Sequence, residues 1–224
     1  MHDLLTQMVL TLARHNGNEG QMLGTAFLIN GGKHIVTPRH VVGDNDDGLC
    51  IITPSIMKFD DYQDTTITTA NFHDVHIVKT DPFNDIAILA PNGNLFNSIP
   101  NGAFPTVSLG STDDVLVGED VMIFGFPHCV EGRRALTMQK AMVGSKILVN
   151  SSGIKSKYII INSQARPGQS GSVIYSVSKN RIIAMLIGSF APEAGISLGG
   201  INPRELHQTT QCISAEYIKK MIED

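Results

Sequence analysis

Ser170 stands between Gly168 and Gly171 in the run Ala165-Arg166-Pro167-Gly168-Gln169-Ser170-Gly171-Ser172, at the mouth of the apolar stretch Val173 to Val177. A hydroxyl attacks a carbonyl carbon when a base takes its proton, the backbone turns sharply, and amide N–H groups aim at the developing oxyanion. Gly168 and Gly171 meet the need for a sharp turn, because glycine takes backbone conformations closed to other residues. The amides of Gly168 and Ser170 are the candidates for the oxyanion donors. A Gly- and Ser-rich run is also what an ordinary turn looks like, so the chemistry depends on partners elsewhere.

Two residues share the placement of Ser170 at the end of an apolar run beside a turn. His40 follows Ile35-Val36-Thr37-Pro38-Arg39, and Asp85 opens Asp85-Ile86-Ala87-Ile88-Leu89-Ala90. An imidazole takes the serine proton, while a carboxylate fixes its tautomer and stabilises the imidazolium. Taken singly, each has a structural reading, a histidine at a strand end and an aspartate capping one. Together they stand in the order His, Asp, Ser, which is the chymotrypsin order; a Gly-x-Ser-x-Gly motif with the order Ser, Asp, His is not met. His128 and Cys129 are also adjacent, but no glycine-framed turn surrounds Cys129, which reads as a loop residue.

Short apolar runs rich in Val, Ile and Thr alternate with turns rich in Gly, Pro and Asn, which predicts an all-β protein. Leu23 to Ile29 and His34 to Thr37 flank Asn30-Gly31, a hairpin signal. Met1 to Leu12 has helical spacing of its apolar residues, and Met8 to Ala13 serves equally as a first strand. Further strands are expected at Leu49 to Ile52, Val75 to Val78, Asp85 to Ala90, Thr106 to Leu109, Asp120 to Phe124, Leu136 to Val143, Lys146 to Val149 and Tyr158 to Ile161. Ser172 to Val177, Arg181 to Ile187 and Thr210 to Ile213 complete the set, and Ser214 caps a closing helix with Tyr217, Ile218, Met221 and Ile222 on its apolar face. Pro91 to Pro105 reads as a linker between lobes, and Gly188 to Gln208 as a long loop.

The 224 residues carry a net charge of −4, which leaves no electrostatic footprint for nucleic acid. No apolar run reaches membrane-spanning length. Cys50, Cys129 and Cys212 are odd in number and widely spaced, which argues against a disulfide framework or a structural zinc site. With no secretory signal at the N-terminus, a cytoplasmic location is expected. No metal and no cofactor is expected.

The motifs together resemble a trypsin-like serine peptidase of the chymotrypsin fold, nearest to the HtrA/Deg type and also similar to bacterial glutamyl endopeptidases. They run in order through Gly24-Thr25-Ala26-Phe27-Leu28-Ile29, Thr37 to Val42, Thr80-Asp81-Pro82 to Leu89, Leu109-Gly110-Ser111, Val117 to Val121, Gly125-Phe126-Pro127 and Pro167 to Ser172. The resemblance implies one peptidase domain over 1–224, built from two six-stranded antiparallel β-barrels (1–100 and 101–224) with a short C-terminal helix. It implies His40, Asp85 and Ser170 as catalytic triad in the cleft, an oxyanion hole from the N–H groups of Gly168 and Ser170, and a polypeptide substrate cleaved through an acyl-enzyme.

The sequence departs from that pattern in places. Gln169 stands where trypsin has an aspartate that pairs with a new N-terminus, so activation of that type is not expected. Ser172 replaces an HtrA glycine and matches the glutamyl endopeptidases, and no PDZ module is expected to follow. The family's primary pocket maps onto Gln164 and Arg166 before the nucleophile and Met185, Leu186 and Ile187 after it. Gln164 gives no support for an Arg or Lys preference, and an apolar residue is expected there. The alternative reading is a non-catalytic or latent peptidase fold that binds a peptide by strand addition, its loops ordered by a regulatory partner or a homo-oligomer.

Overall fold

A computed structural model of the chain describes residues 2–17, 19–67, 69–93, 107–189 and 209–223. The first barrel is β1 (Val9–His15), β2 (Gly20–Ile29), β3 (His34–Pro38), β4 (Leu49–Ile52), β5 (His73–Asp81) and β6 (Ile86–Pro91). Its six strands close in the order β1-β2-β3-β6-β5-β4. The second half holds β7 (Ser108–Leu109), β8 (Asp120–Gly125), β9 (Thr137–Ser151), β10 (Ile154–Ile161), β11 (Val173–Ser176), β12 (Arg181–Ser189) and β13 (Thr210–Ser214). Its sheet runs β11-β8-β9-β10-β13-β12-β7, and the additional β11–β12 pairing closes six of these strands into a ring. The two-residue β7 joins outside the ring, parallel to β12. Helix α1 (Arg39–Val42) is a single turn after β3, and α2 (Ala215–Glu223) ends the described chain.

β3, β4, β6, β11 and most of β12 read as continuous apolar runs because both of their faces are buried. Successive side chains on a strand point to opposite faces. Leu10, Ala26, Leu28, Ile35, Ala87 and Leu89 fill the first barrel, while their neighbours Val9, Phe27, Ile29, Val36, Ile86 and Ile88 join a cluster shared with the second. In the second half Ile123, Ile174, Ile183 and Leu186 fill the interior, and Phe124, Val173, Tyr175, Ile182 and Met185 face that shared cluster. Each strand so placed holds its barrel and the joint between barrels at once.

Two expectations change in detail. The N-terminal stretch is both elements rather than one, a 3-10 helix over His2–Gln7 followed by β1. The strands expected at Leu136 to Val143 and Lys146 to Val149 are a single β9 that passes Gly144 without breaking. The register slips there, Ile160 opposing Ser145 and Ile161 opposing Val143, so Gly144 is an unpaired bulge residue rather than a turn. The linker from Pro91 to Pro105 and the loop from Gly188 to Gln208 lie largely outside the described residues.

Candidate active site

Asp85 is set by its own turn. The Asp81 carboxylate accepts from the amides of Phe83 (2.9 Å) and Asn84 (3.1 Å), and from Asn84 Nδ2 at 2.5 Å. This side-chain-closed turn delivers Asp85 with φ of +55°, a left-handed conformation that aspartate tolerates better than most residues. From there Asp85 holds the start of α1 at three points. Its backbone carbonyl accepts from Arg39 N at 3.0 Å. Its Oδ1 accepts from His40 N at 2.9 Å, and its Oδ2 lies 2.5 Å from His40 Nδ1. The carboxylate therefore fixes both the backbone and the ring of His40, placing the Nδ1 proton toward Asp85 and leaving Nε2 as the open nitrogen.

The turn before Ser170 carries its own geometry. The Arg166 carbonyl accepts from Gln169 N at 3.0 Å and Gly168 has φ of +89°. That is a type II turn with proline at its second position and glycine at its third. The Pro167 carbonyl points away from the turn and accepts from His128 N at 2.6 Å. Among the described residues, no backbone carbonyl engages the amide of Gly168 or Ser170. These two open N–H groups, two residues apart on the turn that carries the Ser170 hydroxyl, are the candidate oxyanion donors.

Ser170 is carried to the first barrel by Thr25. The Thr25 amide donates to the Ser170 carbonyl at 2.9 Å, and Thr25 Oγ1 donates to the Gly168 carbonyl at 2.8 Å while accepting from Phe126 N at 3.0 Å. A Cβ on Gly24 would lie 3.1 Å from the Ser170 carbonyl and 3.1 Å from Val41 Cγ1, so the serine turn and α1 meet across β2. A Cβ on Gly171 would lie 1.8 Å from the Thr25 carbonyl and 3.0 Å from Pro38 Cδ. The approach requires glycine at 171 and leaves little room for a side chain at 24.

The Ser170 hydroxyl donates to the Ile187 carbonyl at 2.9 Å, and no hydrogen bond joins it to His40 among the described residues. His40 and Asp85 are thus paired, with the serine turn beside them and its hydroxyl turned toward β12. Of the expected pocket residues, Ile187 lies at this point, while Gln164 is half-buried and Arg166 exposed in the turn's approach. Met185 and Leu186 are fully buried, one in each apolar cluster, so their side chains line no open pocket.

Sequence reasoning singled out neither Thr25 nor the inward work of Gln169. Gln169 is buried, its Oε1 accepts from Arg166 N at 2.8 Å and its Nε2 donates to Gln139 Oε1 at 3.3 Å. It closes the type II turn from beneath, with an amide where trypsin uses an ion pair. A polar residue inside the apolar run Leu23 to Ile29 is the one signal that pointed to Thr25.

A family model described as a trypsin-like peptidase domain matches residues 24–185. A probable periplasmic DegP-like serine endoprotease of Pseudomonas fulva is 27% identical over 159 residues, covering 71% of this chain and 28% of its own length. The similarly named protein of Ectopseudomonas mendocina is 30% identical over 116 residues, covering 50% of this chain and 20% of its own length. The chain thus spans about 28% of the length of the curated relative from Pseudomonas fulva. Among solved structures, the MamO protease domain of Magnetospirillum magneticum superposes with a TM-score of 0.69 at 12% identity, each chain fully covered. The active form of the Rv3671c protease of M. tuberculosis gives 0.64 at 18% identity, over 96% of this chain and 79% of that one. The HtrA-type protease AlgW with a decapeptide gives 0.66 at 16% identity, over 99% of this chain and 66% of that one.

The relatives overturn the expected cytoplasmic location, since they are named as periplasmic proteins. The physical reason is in the thiols. Cys50, Cys129 and Cys212 are all unpaired and buried, and burial pushes the Cys50 and Cys129 thiols up to about 12. Shielded thiols persist without a reducing compartment, so their pattern does not report one.

Proposed function

We propose that this chain, which belongs to the trypsin-like peptidase family, is a serine endopeptidase in which Ser170 is the nucleophile, His40 the base and Asp85 its orienting carboxylate. The observation that carries the proposal is the two-point hold of Asp85 on His40 Nδ1 and His40 N, at 2.5 and 2.9 Å. It leaves His40 Nε2 free to take a proton. In the reaction the Ser170 Oγ–H proton passes to Nε2 as Oγ bonds to the substrate carbonyl carbon. The carbonyl electron pair moves to oxygen, which the Gly168 and Ser170 amides receive. Collapse breaks the C–N bond, and the leaving amine takes the proton from His40. Water then repeats the cycle on the acyl-enzyme, giving its proton to His40 and releasing the acid and Ser170. The substrate is a polypeptide, and the periplasm of the named relatives is the compartment in which we place the reaction.

Labelling by a fluorophosphonate probe tests this reading. We expect covalent labelling of the purified chain that is lost in both Ser170→Ala and His40→Ala. Labelling that survives His40→Ala, or none in the wild type with substrate present, would overturn it. One observation favours a second reading, a latent form of the same enzyme: the Ser170 hydroxyl is bonded to the Ile187 carbonyl rather than to His40. A latent enzyme would label only after a peptide occupies the cleft and displaces that bond.

A further inference from the structure

We propose that Gln63, on the connection from β4 to β5, is a positioning residue for the oxyanion turn; the inference rests on the peptidase reading above. Residues 53–67 leave the first barrel and cross to the second. Phe59 packs on Phe124 with ring centroids 5.5 Å apart, and Ile56 is buried in the shared cluster. Gln63 then makes a paired contact with the backbone of one residue of the second half. Its Nε2 donates to the Leu136 carbonyl at 2.8 Å, and its Oε1 accepts from Leu136 N at 2.7 Å. An amide side chain thereby takes the place of a neighbouring strand at the start of β9.

Leu136 ends the segment that supports the oxyanion turn. That segment begins at Phe126, whose amide is held by Thr25, and passes through His128, whose amide holds the Pro167 carbonyl outward at 2.6 Å. Cys129 packs beneath Gly168: a Cβ on that glycine would lie 2.7 Å from Cys129 Sγ. Between His128 and Leu136 the second tie to the crossing connection is Arg134, whose Nη1 donates to the Thr53 carbonyl at 2.9 Å. A recess of about 690 Å³ lies beside this joint, with Asp64, Thr65 and Ile67 of the crossing connection and Gly132 and Arg134 of the supporting segment among its lining residues. Leu136 and Cys129 are buried in the same apolar cluster as Ile56, with Phe59 packed against it, so side-chain packing holds the body of the segment while the Gln63 and Arg134 bonds fix its backbone. Turning the Pro167 carbonyl inward would close the oxyanion site; the His128 amide prevents it, and Gln63 keeps the segment bearing that amide in place.

The test compares Gln63→Ala with Tyr62→Ala, a fully exposed neighbour at 103% relative exposure, in the full chain. Hydrogen exchange of the His128 amide is the direct readout. We expect it to quicken about tenfold in Gln63→Ala, the scale of one net hydrogen bond, with Tyr62→Ala unchanged. The fluorophosphonate labelling rate constant should fall by a similar factor while the final extent of labelling holds, whereas loss of fold alone would lower the final extent and leave the rate constant of the folded fraction unchanged. Unchanged His128 exchange in folded Gln63→Ala overturns the proposal. If Gln63→Ala fails to fold, Arg134→Met, which removes the other tie, serves in the same measurement with the same expected and overturning results. A wild type that does not label even with a peptide substrate present would sink the peptidase reading while leaving the exchange comparison to decide the role of Gln63.

Discussion

Thr25 Oγ1 donates to the Gly168 carbonyl at 2.8 Å, binding a strand of the first barrel to the turn beside the proposed nucleophile in the second. The same oxygen accepts from Phe126 N at 3.0 Å, so one hydroxyl fixes the turn and the segment that packs beside it. The residue is fully buried, and neither partner has water as a substitute.

Replacing Thr25 by valine keeps the shape and removes both bonds. The buried Phe126 amide then lacks its Thr25 acceptor, at about 1–3 kcal/mol, and the Gly168 carbonyl keeps only the weak Cys129 thiol at 3.8 Å, at a smaller cost. We expect a loss of about 2–4 kcal/mol in urea unfolding, with Thr25→Ser retaining most of the wild-type stability. A valine variant as stable as the wild type would show that the hydroxyl does not tie the lobes.

Asp85→Asn tests the tautomer argument. With the asparagine oxygen on His40 N, its NH₂ faces Nδ1 as a donor, and the ring proton is driven to Nε2. No base then remains for Ser170. We expect labelling to slow by about 10³–10⁴-fold at neutral pH with the fold intact. A loss below tenfold would remove Asp85 from the mechanism.

Gly168→Ala alters the oxyanion turn itself. The added Cβ would lie 2.7 Å from the Phe126 carbonyl, at a φ of +89° that disfavours alanine. Displacing the Gly168 amide should cost about 10²–10³ in kcat, the usual effect of losing one such donor. Steady-state kinetics on a peptide substrate would show this as a fall in kcat.

Gln169→Ala removes the acceptor that closes the turn from below. We expect labelling to slow about tenfold, with Gln169→Glu restoring much of the rate, since a carboxylate oxygen still accepts from Arg166 N. Equal rates in alanine variant and wild type would leave the turn to Pro167 and Gly168 alone.

The buried thiols predict an alkaline weakness. Burial raises Cys50 and Cys129 from 9.0 to about 12 and raises Cys212 as well. Below 9 both folded and unfolded chains keep the thiols protonated, and the folded advantage is complete. As pH rises from 9 toward 12 the unfolded chain releases protons that the folded chain retains, so stability falls. We expect denaturation midpoints to drop over that window and iodoacetamide to spare all three thiols at pH 8 until the chain unfolds. Fast modification of the native protein would contradict the burial.

The sequence alone determined the family resemblance, the β-rich architecture and the identities of His40, Asp85 and Ser170 as candidates. These follow from local chemistry: apolar runs of strand length, glycines flanking a serine, and a histidine and an aspartate each at the end of an apolar run. Only the tertiary structure decided how they meet. Thr25 is one polar letter in an apolar run until its hydroxyl reaches Gly168, 143 residues away. Gln63 carries no local signal, because its role exists only once the β4–β5 connection crosses to Leu136. Met185 and Leu186 read as one pocket wall in sequence, yet alternation along β12 sends them into different cores. The direction of the Ser170 hydroxyl was equally invisible, since a rotatable O–H takes the acceptor that folding places beside it, here the Ile187 carbonyl.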